Sequence, residues 1–296
     1  GMTWSSASLP SGYETTPLNG IKFLNNQFVA VGGGDAVFSS TDGTTWTAHA
    51  LGTYSWLQGI TYTGSEYFVV GNDNNVLRST DLSTFTQLTT AAGGPVTGFR
   101  DAVSADGVTI VVGAGGVIRR SDNGGQAWTN TGSVGSTDGL FDVEWINNQF
   151  IAVGSSGTFM TSSDGVQWNV TDQFTGHWLN AVAYGAGHTV IAPSWGVMLV
   201  KADGQAWTEI DLGDGTESRD IIFANGGFTA VGPGGTTRKS TDGVNWTTGQ
   251  IPGVTRNLQS IAFLGSVGVI VGDQGLILRS TDGTNWSDVS IPNGQN

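Results

Sequence analysis

The chain of 296 residues contains no cysteine. Disulfides, thiolate nucleophiles and thiolate metal centres are thereby excluded, and redox usage says nothing about the compartment. Basic residues are scarce: 11 Lys and Arg stand against 24 Asp and Glu, a formal net charge of −13. Such a chain repels phosphate backbones and anionic membrane surfaces, so nucleic acid is not an expected partner. No apolar run is long enough to cross a bilayer, and no membrane insertion is expected. His49, His177 and His188 are scattered among different connections without metal-ligand spacing, and no metal or cofactor is expected. Helical runs rich in Ala, Lys and Glu are missing too. Met2 reads as the natural start after Gly1, with no signal peptide behind it, which leaves extracellular and cytoplasmic locations both open.

What is abundant is glycine, at 47 residues, and tryptophan, at 11. Many of them belong to one recurring stretch, best seen as Ser280-Thr281-Asp282-Gly283-Thr284-Asn285-Trp286. Related stretches end at Trp46, Phe85, Trp128, Trp168, Trp207 and Trp246, the one ending at Trp128 being a residue longer. A period near forty residues held seven times marks a repeat architecture. The repeated unit is a turn-former. The Asp carboxylate accepts backbone N–H groups just ahead of it, Gly takes positive φ, and Trp lays an apolar face over the turn. One carboxylate per turn is too few for calcium.

Each repeat opens with an apolar strand such as Leu18 to Phe23, Leu57 to Tyr62 or Leu258 to Phe263, apolar at its fourth and sixth positions. A turn and a second strand follow, then a hairpin with Asp35, Asn74, Gly116, Gly157, Gly196, Gly235 or Gly275 at a position that tolerates positive φ. A third strand runs into the Asp-Gly turn and the Trp begins the fourth. Four antiparallel strands in forty residues make one propeller blade, and blades bury each other around an axis. The fold class is therefore all-β, a seven-bladed β-propeller of four-stranded antiparallel blades. It forms a single domain over residues 2–296, with blades near 17–49, 56–90, 98–131, 139–171, 178–210, 217–249 and 257–291. Residues 2–7, which include Trp4, are placed to reach blade seven and tie the ring.

The Ser-x-Asp-x-Gly-x-x-Trp turn, matched over residues 121–128 with Asn123 in the Asp place, resembles the Asp-box, or BNR repeat, of sialidase-like propellers. The strand pattern Leu-x-x-Ile-x-Phe followed by Phe-x-x-Val-Gly is also similar to photosystem II stability and assembly factor-like propellers. This resemblance covers nearly the whole chain and implies the propeller fold. It does not imply one activity, because the box occurs in sialidases, xyloglucanases and non-enzymatic binders. The Arg-Ile-Pro motif of sialidases is absent, no Tyr sits in a matching nucleophile context, and seven repeats stand where sialidases have six blades. A xyloglucanase-like site needs two opposed carboxylates, and Asp101, Asp142 and Asp220 share one inner-strand position. Their bland reading is a bond to Arg100 or Arg219, or to backbone N–H groups.

Three tryptophans fall outside the turns and the core: Trp56 and Trp178 end connections between blades, and Trp195 sits in the blade-five hairpin, where Ala192-Pro193 replaces Val-Gly. Both connection types are expected on the face opposite the Asp-Gly turns, with a local lid as the bland alternative. Trp145 shares its strand position with Phe23, Tyr62 and Phe263, and is expected in the core. The second inner-strand position reads Asn19, Gln58, Arg100, Phe141, Asn180, Arg219 and Gln259, six of seven polar, which suits hydroxyls or carboxylates. The expected function is therefore a non-catalytic binding or scaffold propeller that takes a glycan or a protein segment at the upper channel mouth. The alternative is a glycoside hydrolase of the sialidase-like or xyloglucanase-like type. The expected ligand-binding residues are Trp178, Trp195, His177, Asn180, Arg219, Arg256, Arg100, Gln58 and Trp56, on a monomer. No catalytic residue is assigned.

Overall fold

The computed structural model describes residues 13–49, 51, 55–73, 75–88, 98–133, 139–174 and 176–289. It contains seven sheets, each of four antiparallel strands in chain order, arranged as a ring. The chain is a seven-bladed all-β propeller. The innermost strands are Leu18–Leu24, Leu57–Tyr62, Phe99–Ala105, Leu140–Ile146, Leu179–Gly185, Asp220–Ala224 and Leu258–Leu264. In blade six the strand begins two residues later than the repeat suggests. There the Ser218 hydroxyl and the Glu217 carbonyl accept hydrogen bonds from Arg238.

The fourth inner-strand position behaves as its pattern requires. Ile21, Ile60, Ala102, Val143, Val182, Ile221 and Ile261 are all buried. They pack between blades rather than inside one, because a single sheet cannot bury both faces. Blade one and blade seven share such a cluster, with Leu18, Phe28 and Phe38 against Val269, Val271 and Ile277. Ile21 N donates to Ser260 Oγ at 3.2 Å and Arg279 Nε to Asp42 O at 2.8 Å, which completes the ring seam. Blade seven takes its own Ser287–Asp288 as fourth strand. The closing role expected of residues 2–7 lies outside the described residues.

The sixth position corrects the expectation of a plain core. Trp145, Phe23, Phe223 and Phe263 are half-buried and line the lower part of the central channel. Each also packs on its own blade, Trp145 against Phe150 at 4.5 Å and Phe223 against Phe228 at 4.8 Å between ring centroids. An inner strand has one edge on the channel, so its aromatic rings cover the core and face the opening together.

The turns hold themselves together as the sequence predicts. In blade six Asp242 Oδ1 accepts the N–H groups of Val244 at 2.9 Å and Asn245 at 2.8 Å, while Ser240 Oγ accepts the Gly243 N–H at 2.8 Å. The Trp246 Nε1–H closes the unit on the Gly243 carbonyl at 2.7 Å. Hydrogen bonds to the ionised form hold Asp242 well below the usual carboxylate range, Asn245 first among the donors. Blades one, two, four and seven repeat the pattern around Asp42, Asp81, Asp164 and Asp282. In blade three Asn123 takes the Asp place and accepts the Ala127 N–H at 2.9 Å.

Candidate functional site

The face opposite these turns is built by pairing two kinds of connection. The residue before an inner strand offers its carbonyl to the hairpin between the second and third strands of the same blade. Asn72 N donates to Trp56 O at 2.9 Å, Ser194 N to Trp178 O at 2.9 Å and Ala114 N to Gly98 O at 3.0 Å. Trp56, Trp178 and Trp195 consequently share this upper face, and they are 49%, 60% and 68% exposed. The hairpin tips turn through two successive left-handed residues. Asp35, Gly116, Gly157, Gly196, Gly235 and Gly275 have φ between 66° and 77°, as expected, while Asn74 lies outside the described residues. The residue before each is left-handed too: Gly34, Asp73, Gly115, Ser156, Trp195, Gly234 and Gln274. A bulky Trp at φ 77° is an outlier in that series, and it is strained.

The channel forms an open cavity of about 850 Å³ along the inner strands. At its upper rim the second-position residues differ in what they do. Asn19 Nδ2 donates to Leu57 O and Asn180 Nδ2 to Ser218 O, both at 2.8 Å, so these amides satisfy backbone of the next blade. Gln259 donates to Asp273 at 2.7 Å. Arg219 pairs with Glu217 at 2.8 Å rather than with Asp220. Arg100 lies over the Phe141 ring at 5.4 Å, and Phe141 in turn meets Trp178 edge-on at 6.1 Å. Arg100, Phe141 and Trp178 thus form a continuous line across blades three, four and five.

One layer below, the third-position carboxylates bridge blades. Asp101 Oδ2 accepts Val143 N at 3.3 Å, Asp142 Oδ2 accepts Val182 N at 2.8 Å, and Asp220 Oδ2 accepts Ile261 N at 2.9 Å. Their backbone reading holds, while the cation beside them is neither Arg100 nor Arg219. It is Lys22, whose Nζ sits 3.3 Å from Asp101 and 3.3 Å from Glu144. Burial by itself would lower the Lys22 pKa, but Asp101, Glu144 and Asp142 outweigh it and hold it above the ordinary lysine value. Burial, then the charges of Asp101 and Glu144, push Asp142 well up, and burial pushes Glu144 and Asp220 up as well. Acceptor oxygens of Asp101, Asp142 and Glu144 lie within 4.8 Å of one another, a grouping that the histidine-based search of the sequence missed. Lys22 is the cation that faces it. Its signal in the sequence was a lysine and a glutamate at the fifth position of strands otherwise apolar or small there.

Of the nine residues expected to bind ligand, Trp178, Asn180, Arg219, Arg100 and Gln58 line the channel mouth. Trp195 adjoins Trp178 through Ser194, whose Oγ accepts the Trp178 N–H at 3.1 Å. Trp56 stands on blade two beside the backbone of Gly33. His177 turns outward to Glu209 at 3.4 Å, and Arg256 reaches Asp288 at 2.5 Å, also away from the channel. Phe141, not among the nine, links Arg100 to Trp178.

No protein-family model and no curated protein matches this sequence. Among solved structures the chain is similar to YCF48 bound to D1 peptide, with a TM-score of 0.74 and 19% identity over 93% of this chain and 99% of that one. YCF48 from Cyanidioschyzon merolae gives 0.73 and 21% over 94% and 98%. The WD40 β-propeller domain of Doa1 gives 0.72 and 13% over 92% and 95%. At these identities the likeness establishes the propeller fold and leaves function to the residues.

Proposed function

We propose that this propeller is a protein-binding module that takes an extended segment of a partner at its upper channel mouth. One observation carries the reading: the Arg100–Phe141–Trp178 line at the rim of an open cavity of about 850 Å³. Trp178 is 60% exposed, so its indole contributes little to the core and is placed for a partner to cover. The strained, exposed Trp195 beside it adds a second aromatic surface. The Gln58 amide at the same rim can meet peptide N–H and C=O groups, and Arg100 can donate to a carbonyl or carboxylate. The YCF48 structure with a D1 peptide is a propeller of similar fold with a peptide bound, which supports a peptide as the class of ligand for this chain. The turn geometry of six blades likewise supports reading their clips as Asp-box repeats. The channel carboxylates already accept backbone N–H groups or the Lys22 ammonium, which favours binding over hydrolysis.

The test is selection from a displayed peptide library, followed by titration of the selected peptide. Trp178→Ala and Arg100→Ala are each expected to weaken it by about tenfold or more, with the melting temperature unchanged. A selected peptide that binds both variants as tightly as the parent would overturn the placement. A glycan array run in parallel overturns the ligand class if glycans bind in a Trp178-dependent way and peptides do not.

A further inference from the structure

Blade five departs from the repeat on the lower face at three points, the first of them shared with the turns of blades two and six. In four blades the residue before the turn is cationic and clamps the turn of the next blade. Arg78 Nη1 donates to Gly124 O at 3.5 Å, Arg120 Nε to Asp164 O at 2.9 Å, Arg279 Nε to Asp42 O at 2.8 Å, and Lys239 Nζ to Gly283 O. Blades one, four and five carry Ser39, Thr161 and Val200 there, none a cation, and Thr161 is too short to reach the blade-five turn. The blade-five turn itself has Lys201 where the other six have serine, so the hydroxyl that accepts the glycine N–H is gone. Asp203 has left its turn as well and accepts the Tyr184 hydroxyl at 2.6 Å.

The third point is the seat of the turn. A Cβ added at Gly43, Gly125 or Gly165 would strike Val269, Phe68 or Ile110 of the preceding blade at 2.7, 2.4 or 2.5 Å. These turns lie flat against their neighbour. At Gly204 an added Cβ meets nothing within 4 Å. The blade-five turn stands off blade four and leaves a cavity of about 260 Å³ between them. Local rules broken together, without a gain in packing, are where function is expected.

We propose that this cavity binds a neutral hexopyranose unit, either free or at the end of a glycan. Its polar lining is Asn147, Gln149, Thr161 and Thr171 from blade four and Thr189, Lys201 and Asp203 from blade five. One cation and one anion face the space, and no ion pair joins them among the described residues. A ligand with no net charge matches that lining. Lys201 only donates and Asp203 only accepts, while the two amides and the three hydroxyls do both, the pattern that ring hydroxyls satisfy. Trp207, with the Lys201 ammonium 5.6 Å from its ring centroid, supplies an apolar wall for the C–H face of a sugar. The volume falls just below the roughly 300–1,000 Å³ of ordinary ligand pockets, which suits one ring and not a chain. The site is on the face opposite the channel rim and does not depend on what binds there.

Calorimetric titration with free glucose, galactose, mannose and N-acetylglucosamine tests it, beside an array carrying the same sugars as terminal residues. At least one sugar should bind with Kd below about 10 mM. The double variant Thr161→Arg, Lys201→Ser restores both the clamp and the turn serine. It should raise the melting temperature and weaken binding by about tenfold or more, a loss that unfolding cannot explain. Asp203→Asn is a milder second variant and should also weaken binding. Binding on the array without binding of free sugar identifies a glycan terminus, and binding of both identifies the ring itself. If no sugar binds the parent in either format, or if both variants bind as tightly as the parent, the cavity is a water-filled void only and the proposal falls.

Discussion

Lys22 and Asp101 are 79 residues apart in sequence, yet Lys22 Nζ lies 3.3 Å from the Asp101 carboxylate and donates to the Ala102 carbonyl at 3.2 Å. Glu144 completes the contact at 3.3 Å, so blade one is tied across the channel to blades three and four. Lys22→Met would leave these carboxylates facing one another without their cation. Breaking a buried pair costs roughly 3–5 kcal/mol, and because the Lys22 side chain is 28% exposed the expected loss is about 1–3 kcal/mol. Denaturant unfolding measures it. A variant as stable as the parent would mean that the crossbar contributes nothing.

The same cluster sets a pH dependence with a definite sign. Asp142, Glu144 and Asp220 have folded-state pKa values raised above 3.8, 4.5 and 3.8. Between those values and the raised ones the folded chain holds more protons than the unfolded one, so stability rises as pH falls from neutral toward about 5. The turn carboxylates Asp42, Asp164, Asp242 and Asp282 are lowered. They keep their contribution through that window and lose it only as pH falls through their depressed values. Lys22 is raised, and its contribution persists until pH climbs through its folded value. Melting temperature at constant ionic strength should therefore peak on the acidic side of neutral, and Asp142→Asn should flatten the rise. A steady fall from neutral to about pH 5 would contradict the assignment.

Trp195 offers a test of strain against function. Its φ of 77° is a left-handed conformation that Gly34, Gly115 and Gly234 occupy in other blades without steric cost. The side chain is 68% exposed, so removing it forfeits little burial. Trp195→Gly should raise stability by about 1 kcal/mol, the gain from lost strain being partly offset by the greater freedom of the unfolded chain. A partner segment bound at the upper face should at the same time bind less well. A drop in melting temperature would show that the indole is held by packing.

The fold was legible because it rests on local chemistry repeated seven times. Asp242, Gly243 and Trp246 lie within five residues of one another, and their bonds follow from that spacing alone. The rim was legible in part. Trp178 stood out as a tryptophan with no turn to serve, and Arg100 as a cation on an inner strand. Their link through Phe141 joins three blades and has no sequence spacing to announce it. His177 and Arg256 were drawn to the rim by their place in the connections, but Glu209 and Asp288 on outer strands take them away. Lys22 and Glu144 escaped notice because their contact spans the channel.

Arg238 governs the loop that delivers Glu217 and Arg219 to the rim. Its side chain is fully buried on the third strand of blade six, at a position where five other blades place Phe38, Leu77, Met160, Leu199 and Leu278. It holds Asp214 through bonds of 2.8 and 2.9 Å, donates to the carbonyls of Thr216 at 2.7 Å and Glu217 at 3.2 Å, and reaches Ser218 Oγ at 2.7 Å. One guanidinium therefore fixes residues 214–218. Arg238→Met fills the volume with a residue the fold accepts there, so its cost comes from the loop and not from a cavity. Because Asp214 is partly exposed, the expected loss is roughly 2–4 kcal/mol, below the full range for a broken buried pair. Adding Asp214→Asn should recover part of it by removing the stranded charge, a coupling that a double-mutant cycle reads directly. Amide hydrogen exchange should rise across residues 213–219 in Arg238→Met and stay unchanged in blades two and three. Additive costs, or exchange that rises equally in every blade, would mean that Arg238 serves the core as its apolar counterparts do and does not hold the loop.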